Sequence, residues 1–131
     1  PSDVVRVAHM CCGYPCELDD VDYPKANQDS YIQIAQSVDG LVDQISIEDA
    51  HRHNPVDLFK LFQHSKLIVG FVTIASSRVE PVDEIRARMQ AVLDHMDRDR
   101  LIAAPDCGLG FLGRDLAMQK LTNLCQAARS L

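Results

Sequence analysis

The sequence has no excess of basic residues, no long apolar run and no start that looks like a leader. Its 13 lysines and arginines stand against 19 acidic residues, which gives a formal charge of −6. That balance repels a phosphate backbone, so nucleic acid is not expected as a partner. No apolar run reaches the roughly 18 residues that cross a bilayer, and no charged segment followed by an apolar one opens the chain. We therefore expect a cytoplasmic protein without a membrane partner.

Cysteine is present, but in a number that does not suit disulfides. The five cysteines are an odd count, and three of them crowd into Cys11, Cys12 and Cys16. Such usage favours metal or thiol chemistry over a disulfide framework. With 131 residues, 47% of them hydrophobic, the chain is long enough for one core. Residues 1–131 are predicted to form a single domain, and the lack of a methionine before Pro1 indicates a piece of a longer protein or a processed product.

Four apolar, β-branched runs alternate with stretches of helical periodicity. We predict strands over residues 4–8, 41–47, 67–74 and 101–104. Helices are predicted where apolar residues recur three or four positions apart, at Tyr31, Ile34, Ala35 and Val38, at Leu58, Leu61 and Phe62, at Val82, Ile85, Met89, Val92 and Met96, and at Ala117, Leu121, Leu124 and Ala128. Strands that alternate with helices in this way are typical of a parallel sheet covered by helices.

The spacing of these strands predicts an α/β fold of the (β/α) TIM-barrel type. Successive strand starts are 37, 26 and 34 residues apart, close to the roughly 31 residues per unit of a barrel with eight units in about 250 residues. Four βα units are half of such a barrel, and an open parallel sheet is the alternative. A half-barrel exposes the unpaired edges of its first and last strands. We therefore expect the chain to pair with a missing half or to associate with itself.

Candidate metal ligands stand where the predicted strands end. His9 and Cys11 are two residues apart and so point to the same side of an extended strand. Glu48 follows the second strand and Cys107 follows the fourth. The carboxyl ends of parallel strands share one rim, which is where such folds place their function. One nitrogen, two sulfurs and one oxygen suit tetrahedral zinc better than magnesium or calcium, so these four residues are predicted to bind Zn²⁺.

This ligand set indicates thiol chemistry rather than activation of water. Two thiolates and a carboxylate bring three negative charges to the dication, which makes it a poor Lewis acid for water. A free thiol has a pKa near 8.5, whereas a metal-bound thiol is deprotonated outright. Anionic ligands also keep the bound sulfur reactive. We predict that an incoming thiol displaces Glu48 and that a methyl or alkyl donor then alkylates this thiol, both substrates being small molecules.

Three segments resemble, in order and approximate spacing, the zinc motifs of the cobalamin-independent methionine synthase family. They are His-Met-Cys at residues 9–11, Ile-Glu at 47–48 and Pro-Asp-Cys-Gly-Leu at 105–109. The last predicted helix, with Leu-Thr-Asn at 121–123 and the alanines at 127–128, is similar too. The likeness covers almost the whole chain and corresponds to the C-terminal half of that family's catalytic barrel.

The resemblance implies an activity, a cofactor and a partner. The family transfers a methyl group from N5 of methyltetrahydrofolate, usually polyglutamylated, to the zinc-bound thiolate of homocysteine, giving methionine. It implies His9, Cys11, Glu48 and Cys107 as the zinc ligands. The N-terminal half, which holds much of the family's amino-acid and folate contacts, is then the partner that this chain lacks. No catalytic residue beyond the ligands is predicted.

One segment departs from the family pattern. Where the full-length synthases carry Asp-Ile-His-Ser-Pro-Arg, residues 73–78 read Thr-Ile-Ala-Ser-Ser-Arg, so Ala75 replaces the family's histidine, which is thought to assist proton delivery. Shorter relatives vary here as well, among them the epoxyalkane:coenzyme M transferases, which use a similar zinc site to open an epoxide with a different thiol. Alkylation of that kind is therefore the alternative function, and a non-catalytic half-barrel remnant is the third hypothesis.

Two further motifs are given structural interpretations. Residues 108–113 match a G-x-G-x-x-G pattern, but a dinucleotide site needs a later strand and an acidic residue about 20 positions on, and the remaining residues read as helix. Tight turn geometry is the preferred explanation, and a cradle for a substrate carboxylate or phosphate is the alternative. His51 and His53 also have ligand spacing, but we interpret them as solvated histidines of the loop beyond the second strand.

Overall fold

A computed structural model describes residues 3–131, so the start of the chain at Pro1 lies outside the described residues. Within these residues, four strands alternate with three α-helices and two short 3₁₀ helices. In chain order they are β1 (Val7–Met10), α1 (Ser30–Val38), β2 (Gln44–Ile47), a 3₁₀ helix (Val56–Leu61), β3 (Lys66–Val72), α2 (Val82–Leu93), a 3₁₀ helix (Arg98–Arg100), β4 (Leu101–Pro105) and α3 (Arg114–Arg129).

The four strands form one parallel sheet in the order β1-β2-β3-β4. Each strand is added on the same side of the previous one, without the reversal of direction that defines a doubly wound sheet. Because strand–helix–strand crossovers are right-handed, such a sequence of steps places the crossovers on one face, as in a barrel wall. The predicted α/β fold of four parallel βα units is confirmed.

The strand bounds differ from the prediction at the amino ends of β1 and β2, and β3 ends at Val72 rather than at residue 74. Pairing of these two strands begins at Val7 opposite Gln44. The apolar residues before them, Val4, Val5 and Leu41, are 57%, 59% and 64% exposed. They were predicted as strand from their side chains alone, but a residue without a neighbouring strand to pair with has no ladder to join. The second predicted helix is a 3₁₀ helix, and α2 ends before Met96, which is nevertheless buried.

The core lies between one face of the sheet and the helices. Along β2 and β3, alternate residues point toward the helices and are buried, among them Ile45, Ile47, Leu67 and Val69. Each apolar side chain of this size stabilises the fold by about 1.5–3 kcal/mol when it is fully buried. The opposite face carries a row of paired residues, His9, Ser46, Ile68 and Ile102, that stays open in part.

Helix α3 is rotated relative to the prediction. Its buried residues are Lys120, Leu124 and Ala127, whereas Ala117 and Leu121 are only half-buried and Ala128 is exposed. The cause is the ammonium group of Lys120, which lies 2.9 Å from Glu80 Oε2 and is completely buried. An amphipathic pattern counts lysine as a solvent-facing residue, so it cannot detect a lysine with a buried partner.

None of the helices within residues 3–131 combines the length and the apolar character that crossing a membrane would require.

Candidate metal centre

The structure brings the four predicted ligands together at the carboxyl end of the sheet. Nε2 of His9 lies 3.0 Å from Sγ of Cys107, which in turn lies 3.7 Å from Sγ of Cys11. Oε1 of Glu48 lies 3.3 Å from the Cys11 sulfur and 3.2 Å from the Cys107 sulfur. Donor atoms of the histidine and the two cysteines all lie within 4.8 Å of one another, close enough to share one ion.

The contact between His9 and Cys107 requires a strongly curved sheet. His9 is on β1 and Cys107 follows β4, the two edge strands. Three spacings of about 4.8 Å would separate these edges by roughly 14 Å in a flat sheet, with side chains standing away from its plane. Side chains 3.0 Å apart therefore mean that the sheet curls toward the face that carries His9. That is the curvature of a barrel wall.

Buried backbone contacts fix the position of Glu48. Its side chain is buried, and Oε2 accepts a hydrogen bond from the backbone N–H of Cys12 at 3.2 Å. Its own N–H donates to the hydroxyl of Tyr31, which donates to the carbonyl of Met10. The amide of Asn54 donates to the Glu48 carbonyl at 2.6 Å. The carboxylate is thus held between β1 and β2, with Oε1 left to face both sulfurs.

His9 is oriented by a partner on the neighbouring strand. Its Nδ1 lies 2.9 Å from the hydroxyl of Ser46, which is paired with it in the sheet register. Metal-binding histidines commonly have such a partner on the second ring nitrogen, because it sets the tautomer and the ring plane. With Nδ1 engaged in this way, Nε2 is the nitrogen that faces the cluster.

The electrostatics of the cluster favour a cation. Burial raises the pKa of the Cys107 thiol, and the carboxylate of Glu48 and the Cys11 sulfur raise it further. Burial, with the charges of Glu48 and Asp106, also raises the pKa of Tyr23 to about 12. Each raised pKa means that a negative charge on that side chain is unfavourable in the metal-free site. A dication would reverse them, since a bound metal ion is the largest local charge and deprotonates a coordinating thiol.

The donor distances fit tetrahedral zinc. Zinc–sulfur bonds of about 2.3 Å and zinc–nitrogen bonds of about 2.0 Å at tetrahedral angles place two sulfurs about 3.8 Å apart and a sulfur and a nitrogen about 3.5 Å apart. The corresponding separations are 3.7 Å between the two cysteines and 3.0 Å between His9 and Cys107. A small outward movement of the imidazole would satisfy both distances, so the residues present fit the metal.

The loop that follows β2 contains polar residues that sequence reasoning missed. Asp49 is completely buried and accepts two hydrogen bonds of 2.7 Å from the guanidinium group of Arg88 on α2. It also accepts hydrogen bonds from the backbone and the side chain of Asn54. The carboxylate of Asp106 accepts three more from backbone N–H groups of this loop. An acidic residue directly after a strand was the available signal, but only the fold supplies its partners.

The histidines and cysteines outside the predicted ligand set take other positions. His51 is half-buried rather than solvated as predicted: its Nε2 accepts a hydrogen bond from the backbone of Ile74 at 3.4 Å, and burial lowers its pKa. His53 is exposed, as expected, and has a left-handed φ of 46°. Cys12 is packed in the core, whereas Cys16 is exposed. None of these four belongs to the group of donors formed by His9, Cys11 and Cys107 within the described part of the chain.

The glycine-rich loop lies beside the cluster but does not need glycine for its backbone. Gly108, Gly110 and Gly113 have no left-handed φ, and a Cβ added to each would meet nothing within 4 Å. The predicted tight turn is present, since the N–H of Leu112 donates to the carbonyl of Leu109 at 3.0 Å, but its backbone does not require the glycines. The ring of Phe111 stacks on Tyr14 with centroids 5.2 Å apart, so the loops after β4 and β1 are in contact at the rim.

Fold and site together define a class: a (β/α) barrel wall of four parallel units with a sulfur-rich donor cluster at the carboxyl ends of its strands. The family model of the cobalamin-independent synthase catalytic domain matches residues 18–130. The chain belongs to this family, as its motifs predicted.

Named relatives and a solved structure agree with this assignment. The chain is 36% identical over 91 residues to a methionine synthase of Pyrococcus furiosus, covering 69% of this chain and 27% of that protein. It is 34% identical over 97 residues to a methionine synthase of Thermococcus kodakarensis, covering 72% and 29%. A B12-independent methionine synthase from Shewanella sp. W3-18-1, solved in complex with selenomethionine, has the same fold, with a TM-score of 0.76 at 24% identity over 95% of this chain and 37% of that chain. The chain thus spans between a quarter and two fifths of the length of these relatives.

Proposed function

We propose that this chain carries the zinc centre of a methyltransferase that methylates the thiol of homocysteine, with 5-methyltetrahydrofolate as the donor. His9, Cys11, Glu48 and Cys107 are the proposed ligands. The observation that supports this most strongly is the convergence of one nitrogen, two sulfurs and one carboxylate oxygen from three strand ends. Zinc bound there would keep the substrate thiol deprotonated, as a thiolate, at neutral pH.

The chain's own residues prepare this site in two ways. Ser46 orients the imidazole of His9, and the backbone of Cys12 holds one oxygen of Glu48. Glu48 is the ligand we expect an incoming thiol to displace, because a carboxylate oxygen is a harder and weaker partner for zinc than a sulfur. The hydrogen bond from the Cys12 N–H to its other oxygen would keep the carboxylate at the site.

The proposal concerns a domain that acts with a complementary half. Both edge strands, β1 and β4, lack a further strand within residues 3–131. The open row of His9, Ser46, Ile68 and Ile102 faces the side on which a barrel interior would lie. We propose that an N-terminal half or a second copy of this chain completes the barrel and brings the contacts to the methyl donor.

Alkylation by an epoxide is the second candidate, and one residue favours it. Ala75 is buried where the family's histidine stands, so this position cannot deliver a proton to the departing folate nitrogen. Assays of methyl transfer to homocysteine and of thiol addition to an epoxide, run on the same preparation, would separate the two activities.

The metal centre can be tested before any assay. Elemental analysis of the purified chain should find about one zinc per chain, as expected for a closed four-ligand site. Cys107→Ser should lose this zinc, whereas Cys16→Ser, which changes an exposed cysteine outside the cluster, should keep it. Equal metal content in the wild type and Cys107→Ser would contradict the proposed ligands. Zinc binding without turnover would support the centre and the need for a complementary half.

A further inference from the structure

The segment that follows β4 reaches across to the loop that follows β2. Oδ1 of Asp106 accepts hydrogen bonds from the backbone N–H groups of Asp49 and Ala50 at 2.8 and 2.9 Å, and Oδ2 accepts one from His51 at 2.8 Å. These two segments belong to strands that are not neighbours, since β3 lies between them. The Asp106 side chain is completely buried, so water does not compete for the three amides.

The residues in this contact adjoin two of the proposed ligands. Asp106 directly precedes Cys107, and Asp49 directly follows Glu48. Holding Asp106 against the amide of Asp49 therefore sets the distance between the two ligands themselves, which is 3.2 Å from Oε1 to Sγ. Without this contact, the segments that carry Glu48 and Cys107 would lose this direct link across β3.

The intervening strand leaves room for the contact. A Cβ added to Gly70 would lie 2.0 Å from Oδ1 of Asp106 and 2.4 Å from its Cα. The pairing of β3 with β4 is irregular between Gly70 and Val72, and the N–H of Asp106 donates to the carbonyl of Val72. A glycine is thus required here because Asp106 occupies the space of its side chain, although β3 contributes no proposed ligand.

We propose that Asp106 is a positioning residue of the metal centre, which it serves by holding Glu48 and Cys107 in register across β3. This inference rests on the proposed function. Its physical basis is preorganisation: a site whose ligands are already held in place loses less conformational freedom when the ion binds. Partners that orient metal ligands commonly change metal affinity by about 10–100-fold when they are replaced.

The chain contains a matched control for this residue. Asp39, which follows α1, accepts hydrogen bonds from three consecutive backbone N–H groups, those of Gln63, His64 and Ser65, at 2.8, 3.0 and 2.9 Å. This contact has the same chemistry but lies at the amino end of the sheet, away from the cluster. Replacing it removes a comparable set of hydrogen bonds without touching the ligands.

The experiment compares Asp106→Asn with Asp39→Asn in the full chain. Asparagine keeps the size of the side chain and the Oδ1 acceptor, but its NH₂ group would face the N–H of His51. Zinc affinity is measured by competition with a chromophoric chelator, and the geometry of the site by the visible absorption of bound Co²⁺. Hydrogen exchange of the backbone amides is measured on the metal-free protein.

We expect Asp106→Asn to weaken zinc binding by about 10–100-fold, to change the Co²⁺ spectrum and to speed exchange at residues 49–51. Asp39→Asn should speed exchange at residues 63–65 and leave both metal readouts unchanged. Wild-type affinity and spectrum in Asp106→Asn, or an equal loss of affinity in Asp39→Asn, would overturn the inference. A wild-type chain that binds neither ion would overturn the proposed function instead. In that case unchanged exchange at residues 49–51 in Asp106→Asn would also overturn the hold of Asp106 on the loop after β2, and faster exchange would support that hold alone.

Discussion

The two ends of the sheet use the same contact in different surroundings. At each end one aspartate accepts hydrogen bonds from three consecutive backbone N–H groups, Asp39 at the amino end and Asp106 at the carboxyl end. Burial acts to raise the pKa of Asp39, but its backbone hydrogen bonds outweigh burial and the net pKa is lowered. At Asp106 burial, assisted by the charge of Glu48, prevails over the three amides and raises the pKa to about 7.

The ion pairs at the two ends of the sheet also differ in burial. Ion pairs such as Arg6 with Asp43 near the amino end are exposed, whereas Lys120 with Glu80 and Arg88 with Asp49 are largely buried at the carboxyl end. Buried pairs of this kind commonly contribute little net stability, because desolvation offsets the attraction. These two buried pairs fix the positions of Glu80 and Asp49 at the carboxyl end of the sheet.

Lys120→Met, which breaks a buried ion pair at the carboxyl end, is expected to lower stability the most. The buried ammonium group of Lys120 contacts both oxygens of the buried Glu80 carboxylate, and it donates to the carbonyl of Arg78 at 2.6 Å. Removing it leaves the Glu80 carboxylate buried without its cation, which lowers the free energy of unfolding by about 3–5 kcal/mol.

Lys60→Met is the matched control, because the pair of Lys60 with Asp57 is exposed. Its loss should lower the free energy of unfolding by only about 0–1 kcal/mol. Urea unfolding of both variants measures the difference. Equal destabilisation by the two variants would contradict the difference between buried and exposed ion pairs in this fold.

A smaller effect is expected from Gly70→Ala, which forces a methyl group into the space of Asp106. Overpacking of this kind destabilises by about 1–3 kcal/mol. Since the methyl displaces Asp106, zinc affinity should fall as well, and combining Gly70→Ala with Asp106→Asn should add little further loss of affinity. Gly110→Ala, at a position with open space around the Cβ, should leave stability and affinity unchanged. Full additivity of the two changes would contradict a shared mechanism.

The smallest effect is the pH dependence of Asp39→Asn. Because the folded pKa of Asp39 lies below its unfolded value, its ionised carboxylate stabilises the fold above the unfolded pKa of about 3.9. This contribution is lost as the pH falls through the folded pKa. The difference in unfolding free energy between wild type and Asp39→Asn should therefore be present at neutral pH and shrink on acidification. A difference that stays constant down to pH 2 would contradict the assignment.

Local patterns were sufficient to predict the order of elements and the candidate ligands. Apolar β-branched runs mark strands whichever partner they pair with, and parallel strands must present their carboxyl ends on one rim. The placing of His9, Cys11, Glu48 and Cys107 followed from these two facts. The start of β1 did not, because Val4 and Val5 have strand-forming side chains but no opposite strand.

Long-range polar contacts account for most of what could not be predicted. Asp106 finds its amides 55 to 57 positions away, and Lys120 finds Glu80 40 positions away. A sequence gives the charge of each residue but not its buried partner, so acids and lysines are assigned to the surface by default. Gly70 was overlooked for the same reason, since the residue that fills its side-chain space is 36 positions further along.

The nearness of His9 to Cys107 also affects how the chain folds. These residues are 98 positions apart in a chain of 131, so an ion bound between them closes a loop that contains most of the polypeptide. Such a closure is entropically expensive in an unfolded chain and nearly free once the intervening units are formed. Metal uptake should accordingly be a late event in folding, and chelation should loosen the first and last units before the central ones.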